Sequence, residues 1–519
     1  MTAYAAVLDA PRMNEAPPGA PQRDLPDGFL AFLEPLHQAL TPWQQTLVEA
    51  RARALAAAHQ GRLPDYRGPS EATAGSWRVS LPDWCADQRN QMTGPADDGE
   101  LVVKMLNSGA PGVMVDLEDS MANTWECLLR GHRNAADALH GRLSYFDAKR
   151  GREVSIAPGP TVVFTRVRGL HLSQAGVLPG GPVAASIFDL ALHVFLVDPG
   201  RLKHPLCVYI PKSESAEEAL WWREALRRAA RAKGWPDDAI KCMALVEAHP
   251  LAYQMEEFLF HLRDHILGLN LGRWDYMASL IHFNLPQPRW VLPDRNTIPH
   301  DVPFFQRLRE RLPEICHRRG ALAIGGMTAL FPSRVDAALN ERALAALEQD
   351  KRNEARAGMD GAWTGHPDQN QIAVAQFPEP NQLGFRRPEL EARPDLRPAP
   401  EGVGRRTLAG SRTAARVTTL YRYGVLAGRG ASLIEGYMED LATDRIYRLM
   451  LAQRTAHARE APLEDENGTV IHTPDVVTRL YDEELEALRS QRPDLDPELL
   501  RRARRQSEQM VTMGVHDPV

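Results

Sequence analysis

Between Gly99 and Gln376 the chain alternates short apolar runs with segments of helical periodicity, and that alternation leaves few folds open. Short apolar runs bounded by turn residues read as buried strands, and buried strands separated by helices belong to a parallel sheet. The runs fall at Val113–Asp119, Thr161–Gly169, Leu206–Lys212, Cys242–Pro250, His265–Leu271, Ala321–Met327 and Gly358–Thr364, with an eighth strand left open. Helices fill the gaps, one of them opened by the capping-box string Ser215-Ala216-Glu217-Glu218. No GxGxxG or Walker string follows any run, which argues against an open nucleotide-binding sheet. Seven or eight strands over this length predict an α/β fold, a (β/α)₈ TIM barrel.

The flanks differ in composition from this middle. Residues 1 to about 27 are rich in Pro and small residues and read as a loosely held arm. From Gly28 the pattern turns helical, and Thr41-Pro42-Trp43-Gln44 supplies a cap, a proline at the first helical position and a Gln three residues after the cap, for a helix to about His59. Residues 60–98 are dense in Pro, Gly and Asp and read as a long irregular connection. The expected layout is therefore an N-terminal arm and helical clasp over 1–98, the barrel over 99–376, a Pro-rich linker over 377–404 and a C-terminal helical domain over 405–519.

Composition excludes several classes of function. The chain has 519 residues and a net charge of -6, so it offers no basic field for nucleic acid, and the run Arg501-Arg502-Ala503-Arg504-Arg505 reads as a solvated helix face. No apolar stretch approaches a membrane span, and the N-terminus has no basic start followed by an apolar run. Cys85, Cys127, Cys207, Cys242 and Cys316 are scattered without a CxxC pair, as expected of reduced thiols in a cytoplasmic protein. The last residues, Asp517-Pro518-Val519, do not form a peroxisomal address.

In a barrel the chemistry sits where strands end, and here the strands run out in functional groups: Asp116 and Glu118, Arg166 and Arg168, Lys212, Glu247, and Asp275. Alternation puts Asp116 with Glu118, and Phe164 with Arg166 and Arg168, on common faces that can point into the mouth. Asp119-Ser120 then reads as the cap of the next helix. The string Arg263–Tyr276, RDHILGLNLGRWDY, is a buried strand delivering a carboxylate, Asp275, to a Gly272-Arg273-Trp274 turn; alone, such an Asp can simply cap the turn. Beyond the linker, Glu435-Gly436-Tyr437-Met438-Glu439-Asp440 joins a small-residue loop to a helical segment, where acidic residues could merely decorate a helix start.

Taken together these strings resemble the malate synthase family, in particular its shorter, A-type form. The resemblance runs in family order through DLEDS at 116–120, TRVRGLHL at 165–172, Pro211-Lys212, LVEAHP at 245–250, RDHILGLNLGRWDY, GGMTALFPS at 325–333 and MEDLAT at 438–443. It implies a barrel with an N-terminal clasp and a C-terminal plug over its mouth, and a Mg²⁺-dependent condensation of acetyl-CoA with glyoxylate to malate in the glyoxylate cycle. By the resemblance Arg166 is the active-site arginine, Glu247 and Asp275 are the magnesium ligands, and Asp440 is the catalytic aspartate. The amides of Gly272, Arg273 and Trp274 would cradle glyoxylate, Asp116 and Glu118 would form an acidic pair behind the site, and Pro367 would line the CoA channel. Glu439 is the rival for the base, with Asp440 then only a cap.

The chemistry asks for the same residue types. Deprotonating an acetyl thioester needs a base shielded from solvent and a permanent cation for the enolate oxygen, which Arg supplies. A divalent cation held by two carboxylates polarises the aldehyde and leaves positions for substrate oxygens. Two alternatives stay open on the residues alone: a malyl-CoA or citrate-lyase-β type of carbon-carbon lyase, whose chains lack a MEDLAT domain, and a catalytically silent barrel that binds CoA esters.

Overall fold

Seven strands of the barrel are legible as apolar runs because both of their faces are buried, and the eighth is not because its inward face is polar. In the computed structural model, which describes residues 15–398, 400, 403–466 and 468–517, eight parallel strands close on one another. They are β1 (Asn90–Pro95), β2 (Gly112–Asp116), β3 (Val162–Arg166), β4 (Cys207–Ile210), β5 (Lys241–Val246), β6 (Ile266–Leu271), β7 (Leu322–Met327) and β8 (Gly361–Thr364). Each pairs with the next, and β8 returns to β1 through the register Asn90↔Ala362.

Side chains alternate between two cores. Met114, Phe164, Tyr209, Met243, Leu322 and Trp363 fill the barrel, whereas Val113, Val115, Val163, Val208 and Ile210 belong to the shell under the helices. Strand β1 lies in the 60–98 stretch expected to be irregular. Its inward Gln91 accepts from the Tyr209 hydroxyl at 2.7 Å and the Trp363 indole at 3.0 Å, and Asn90 donates to Thr364 at 3.0 Å and to Asn370 at 2.7 Å. A buried strand can thus be polar when the barrel supplies partners for its amide side chains, and hydrophobic periodicity does not see it.

The clasp is built on α1 (Phe29–His59), one uninterrupted helix with Pro35 and Pro42 inside it. Thr41 is therefore not an N-cap. It is buried within the helix, its hydroxyl 2.9 Å from His37 Nδ1 and accepting the Ala184 amide at 3.2 Å, so tertiary contacts offset the hydrogen bond that Pro42 cannot make. Gln44 donates to the Leu170 carbonyl at 2.6 Å, and Phe29 meets Phe188 edge-on at 5.8 Å. Of the arm, residues 1–14 lie outside the described residues; from Glu15 it docks on the barrel, with the Ala16 amide donating to Ala175.

Crossover helices cover the barrel: α2 (Gly99–Leu106), α3 (Trp125–Leu139), α4 (Ala185–Leu196), α5 (Ala216–Ala232), α6 (Met255–Leu262), α7 (Arg273–Phe283), α8 (Pro303–Arg319) and α9 (Ala337–Ala357). Ser215 caps α5 without the expected capping box, because Glu218 instead binds Arg51 of the clasp through two contacts of 2.7 Å. The linker is stitched down: Gln382 donates to Asp360 at 2.6 Å, and Tyr66 of the clasp donates to the Pro394 carbonyl at 2.9 Å. The C-terminal helices α10 (Leu408–Leu426), α11 (Leu441–Ala456), α12 (Pro474–Gln491) and α13 (Pro497–Thr512) follow, with a hairpin of β9 (Ser432–Ile434) and β10 (Tyr437–Glu439) between the first two. Helix α11 packs along α7, which brings the C-terminal domain to the barrel mouth.

Candidate active site

The site is assembled from the C-terminal ends of β2 to β6. Asp116 and Arg166 are register partners on neighbouring strands, and their side chains meet in a two-pronged ion pair, Nε and Nη2 each 2.6 Å from a carboxylate oxygen. Asp116 also accepts from the Glu118 and Ser120 amides at 2.9 Å, so one carboxylate fixes both the arginine and the loop after β2. Arg166 is left with its Nη1 edge turned to Asp119 at 3.2 Å and Glu118 at 3.7 Å, its guanidinium 5.6 Å from the Trp363 ring.

Asp119 is not the helix cap expected of it. Helix α3 starts later and is capped by Thr124, while Asp119 is buried in the site, where it receives Lys212 Nζ at 2.6 and 2.8 Å. The same ammonium lies 3.2 Å from Glu118 and 3.3 Å from Asp275. Lys212 holds this place with a left-handed backbone, φ 45°, a conformation that costs a non-glycine residue free energy and persists only where its surroundings enforce it. They do so from both sides: its amide donates to Glu247 at 2.7 Å and its carbonyl accepts from Arg51 at 2.8 Å. Three acids in DLEDS and a lysine straight after a strand-ending proline were the available signals for this network.

Glu247 follows β5 and Asp275 lies in the first turn of α7. Between them runs Gly272, whose amide donates to the Val246 carbonyl at 3.2 Å. That amide belongs to the barrel's ladder, so the expected three-amide cradle loses its first member. The amides of Arg273, Trp274 and Asp275, at the start of α7, point to the helix's electropositive end. Arg273 itself turns away, with Nη1 2.9 Å from His300 and Nη2 donating to the Ile298 and Pro299 carbonyls.

Burial raises the pKa of both members of the pair. Glu247 is pushed up to about 8 by burial, with Lys212 opposing and Asp275 adding repulsion. Asp275 is also raised, by burial and by Asp119, against the pull of Lys212. Asp119 goes the other way: burial works to raise it, but Lys212 and Arg166 hold it below the usual carboxylate range. The Asp275 Oδ1 atom is buried without a hydrogen-bond partner, with Arg445 Nη1 3.8 Å away. Among the described residues no three His, Cys, Asp or Glu side chains form a metal cluster. Two raised, mutually repelling carboxylates with an unbonded oxygen nevertheless fit a hard divalent cation that completes its shell with water and substrate oxygens.

The C-terminal domain contributes Asp440. Glu435 and Gly436, with φ 52° and 86°, make a tight turn between β9 and β10, and the hairpin delivers Asp440 to the N-cap of α11. Asp440 and Thr443 exchange hydrogen bonds at 3.3 and 2.9 Å in a capping box. Its pKa is pushed up to about 7 by burial and by the charges of Asp119 and Asp275, which brings it within electrostatic reach of the barrel site. Glu439 is buried elsewhere, pinned to Arg295 by contacts of 2.7 and 2.8 Å. Arg168 does not join the cluster at the mouth; it is locked to Asp189 of α4 at 2.8 and 3.0 Å. Pro367 sits half-buried in a short turn after β8, beside His366, whose ring meets Phe331 at 6.2 Å.

The family model of the malate synthase TIM-barrel domain matches residues 162–394, and that of the malate synthase C-terminal domain matches residues 405–515. Malate synthase of Streptomyces clavuligerus is 37% identical over 493 residues, covering 91% of this chain and 90% of that protein. The chain belongs to the malate synthase family. Malate synthase A of Escherichia coli K12 is 36% identical over 444 residues, with 82% of each chain covered, and malate synthase of rice is 34% identical over 513 residues, covering 91% of this chain and 89% of that one. The match to the C-terminal domain removes the shorter lyase alternative, which has no counterpart to α10–α13. The silent-barrel alternative falls with it, since the family condenses acetyl-CoA with glyoxylate to give malate.

Proposed function

We propose that this malate synthase divides its chemistry between two domains, with Asp440 as the base and Arg166, Glu247 and Asp275 as the barrel's contribution. What supports the division is the convergence on one mouth of an arginine with a fixed guanidinium edge, a raised carboxylate pair and, from across the domain boundary, an aspartate whose pKa is about 7. A base is most effective when its pKa lies near the working pH, and burial puts Asp440 there.

In this reading Asp440 takes the methyl proton of acetyl-CoA, and the Nη1 edge of Arg166 receives the negative charge that moves onto the thioester oxygen. Asp116 holds the guanidinium from its Nε and Nη2 side, and the enolate oxygen would share the Nη1 edge with Asp119. Glyoxylate's carboxylate lies on the free amides at the start of α7, with its aldehyde toward Glu247 and Asp275. Magnesium held by these two would polarise the aldehyde as a Lewis acid. The enolate carbon attacks the aldehyde carbon, a carbon-carbon bond forms as the aldehyde π bond breaks, the resulting alkoxide takes up a proton, and water then cleaves the C–S bond of the malyl thioester to release malate and CoA. Pro367, above β8, would flank the entering CoA. The test is release of free CoA thiol from acetyl-CoA: the rate should need both glyoxylate and Mg²⁺, and thiol release independent of glyoxylate would sink the reading.

A further inference from the structure

The buried pair Arg295–Glu439 spans the two halves of the site, and nothing in the chemistry above uses it. Arg295 lies in the segment between α7 and α8, and Glu439 is the residue before Asp440. Both are buried, and their two-pronged contact measures 2.7 and 2.8 Å. The guanidinium is stacked between Trp274 of α7 at 4.9 Å and Tyr447 of α11 at 4.6 Å, with Tyr437 of the hairpin at 5.7 Å. One cation therefore touches the helix start that faces the aldehyde, the hairpin that carries the base and the helix that the base caps.

Neighbouring contacts show that the segment is a docking strip. Asp294 accepts from Arg454 of α11 at 2.7 Å and from the Thr407 hydroxyl at 2.6 Å. Gln453 donates to the Trp290 carbonyl at 2.8 Å and accepts the Leu292 amide at 3.2 Å. On its other edge β10 is held by backbone, since Met438 donates to Ala329 and Phe331 donates to Gly436, each at 2.9 Å. Those backbone bonds fix the hairpin's height above β7. Arg295 adds a side-chain link from the hairpin to α7, through Glu439 on one side and Trp274 on the other.

We infer that Arg295 is a positioning residue for the condensation: by holding Glu439 against Trp274 it sets the distance from Asp440 to the aldehyde cradle. The inference rests on Asp440 being the base. A base displaced by about 1 Å can cost about 10² in rate, so the pair acts on turnover rather than on the affinity of groups bound to the barrel.

The experiment compares Arg295→Gln, Arg295→Lys and Glu439→Gln, each alone and in an Asp440→Asn background, in the full-length enzyme. Expected for Arg295→Gln and Glu439→Gln is a fall in kcat of at least about tenfold, with KM for glyoxylate and the Mg²⁺ dissociation constant within about threefold, and partial recovery in Arg295→Lys. Amide hydrogen exchange of residues 437–443 should rise while that of β5 and β6 stays unchanged. In the Asp440→Asn background, Arg295→Gln should cost less than about twofold more, because residues acting as one unit are not additive. Unchanged kcat in both single variants, Mg²⁺ affinity falling in step with kcat, or full additivity with Asp440→Asn would each overturn the inference. If Asp440→Asn itself keeps the parent rate, the base assignment fails instead. The exchange data then judge the Arg295 contact separately: protection of 437–443 unmoved by Arg295→Gln counts against it, and local loss of protection supports it.

Discussion

Gly272 and Glu247 approach so closely that a Cβ on Gly272 would stand 2.7 Å from Glu247 Oε2 and 2.8 Å from Glu247 Cβ. The carboxylate proposed to hold the metal is thus packed against bare backbone at the end of β6. Its backbone dihedral is ordinary, so the requirement for glycine here is one of space. Gly272→Ala should push Glu247 off its place without breaking the barrel. A displaced ligand should weaken Mg²⁺ binding by roughly 10- to 100-fold, with the rate partly recovered at raised Mg²⁺. Titration of the chelated enzyme with Mg²⁺ reads this directly, and an alanine variant with parent affinity would remove Glu247 from the metal site.

Arg166 and Arg168 are two residues apart and have different employment. Arg166→Lys keeps a charge but loses the planar fork that Asp116 grips, so kcat should fall by at least about a hundredfold with the fold intact. Arg168 is wholly buried with Asp189, which also lies 3.2 Å from His132. Removing its charge in Arg168→Met strands Asp189, a change that typically costs on the order of 3–5 kcal/mol. Steady-state kinetics and chemical denaturation together separate the two. Arg168→Met enzyme with parent stability and depressed kcat would reverse the assignment.

The strands that carry these residues were readable because each is a continuous apolar run ending in a polar side chain, and the motifs at those ends named the family. The misreadings were of residues whose partners are distant in sequence. Asp119 reads as a cap because its true partner, Lys212, is 93 residues away. Thr41 looked like a helix start because local propensity cannot register the buried contacts that carry a helix across Pro42. β1 was hidden because Gln91 satisfies Tyr209 and Trp363 across the barrel. Local pattern reports local structure; a polar residue whose only justification is across the fold looks like loop.

The C-terminal domain should loosen in mild acid. His472 is buried with its pKa pushed down to about 4 by burial and by Arg454, and His516 is pushed down to about 4 by burial and by Arg448 and Arg445. Both fall from an ordinary value of 6.5. Between pH 6.5 and 4 the unfolded chain binds protons there that the folded chain does not, so stability is fully present above 6.5 and is lost as pH falls. For the buried His472 the separation corresponds to at most roughly 3 kcal/mol. Unfolding followed from pH 7.5 down to 4.5 should show this slope, and His472→Gln should flatten it. An equally steep acid limb in the variant would place the proton uptake elsewhere.

Asp440 and Glu439 are adjacent acids, and the geometry separates them: Glu439 is spent on Arg295, whereas Asp440 caps α11 with one oxygen and feels Asp119 and Asp275 across the domain boundary. Asp440→Asn keeps the shape and can still accept the Thr443 amide, so the helix start should survive, but the side chain no longer accepts the methyl proton. General-base catalysis is typically worth about 10² to 10⁴ in rate, and kcat should fall by that much. Glyoxylate and Mg²⁺ bind to barrel residues, so their affinities should move by no more than a few fold. Exchange of solvent deuterium into the acetyl methyl, followed with a non-condensing glyoxylate analogue in place, isolates the proton transfer from the bond-forming step. That exchange should vanish in Asp440→Asn and persist in reduced measure in Glu439→Gln, whose base is displaced but present. Malate formed by Asp440→Asn at near-parent rate would move the base to another residue, and exchange abolished in Glu439→Gln alone would move it one position back along the chain.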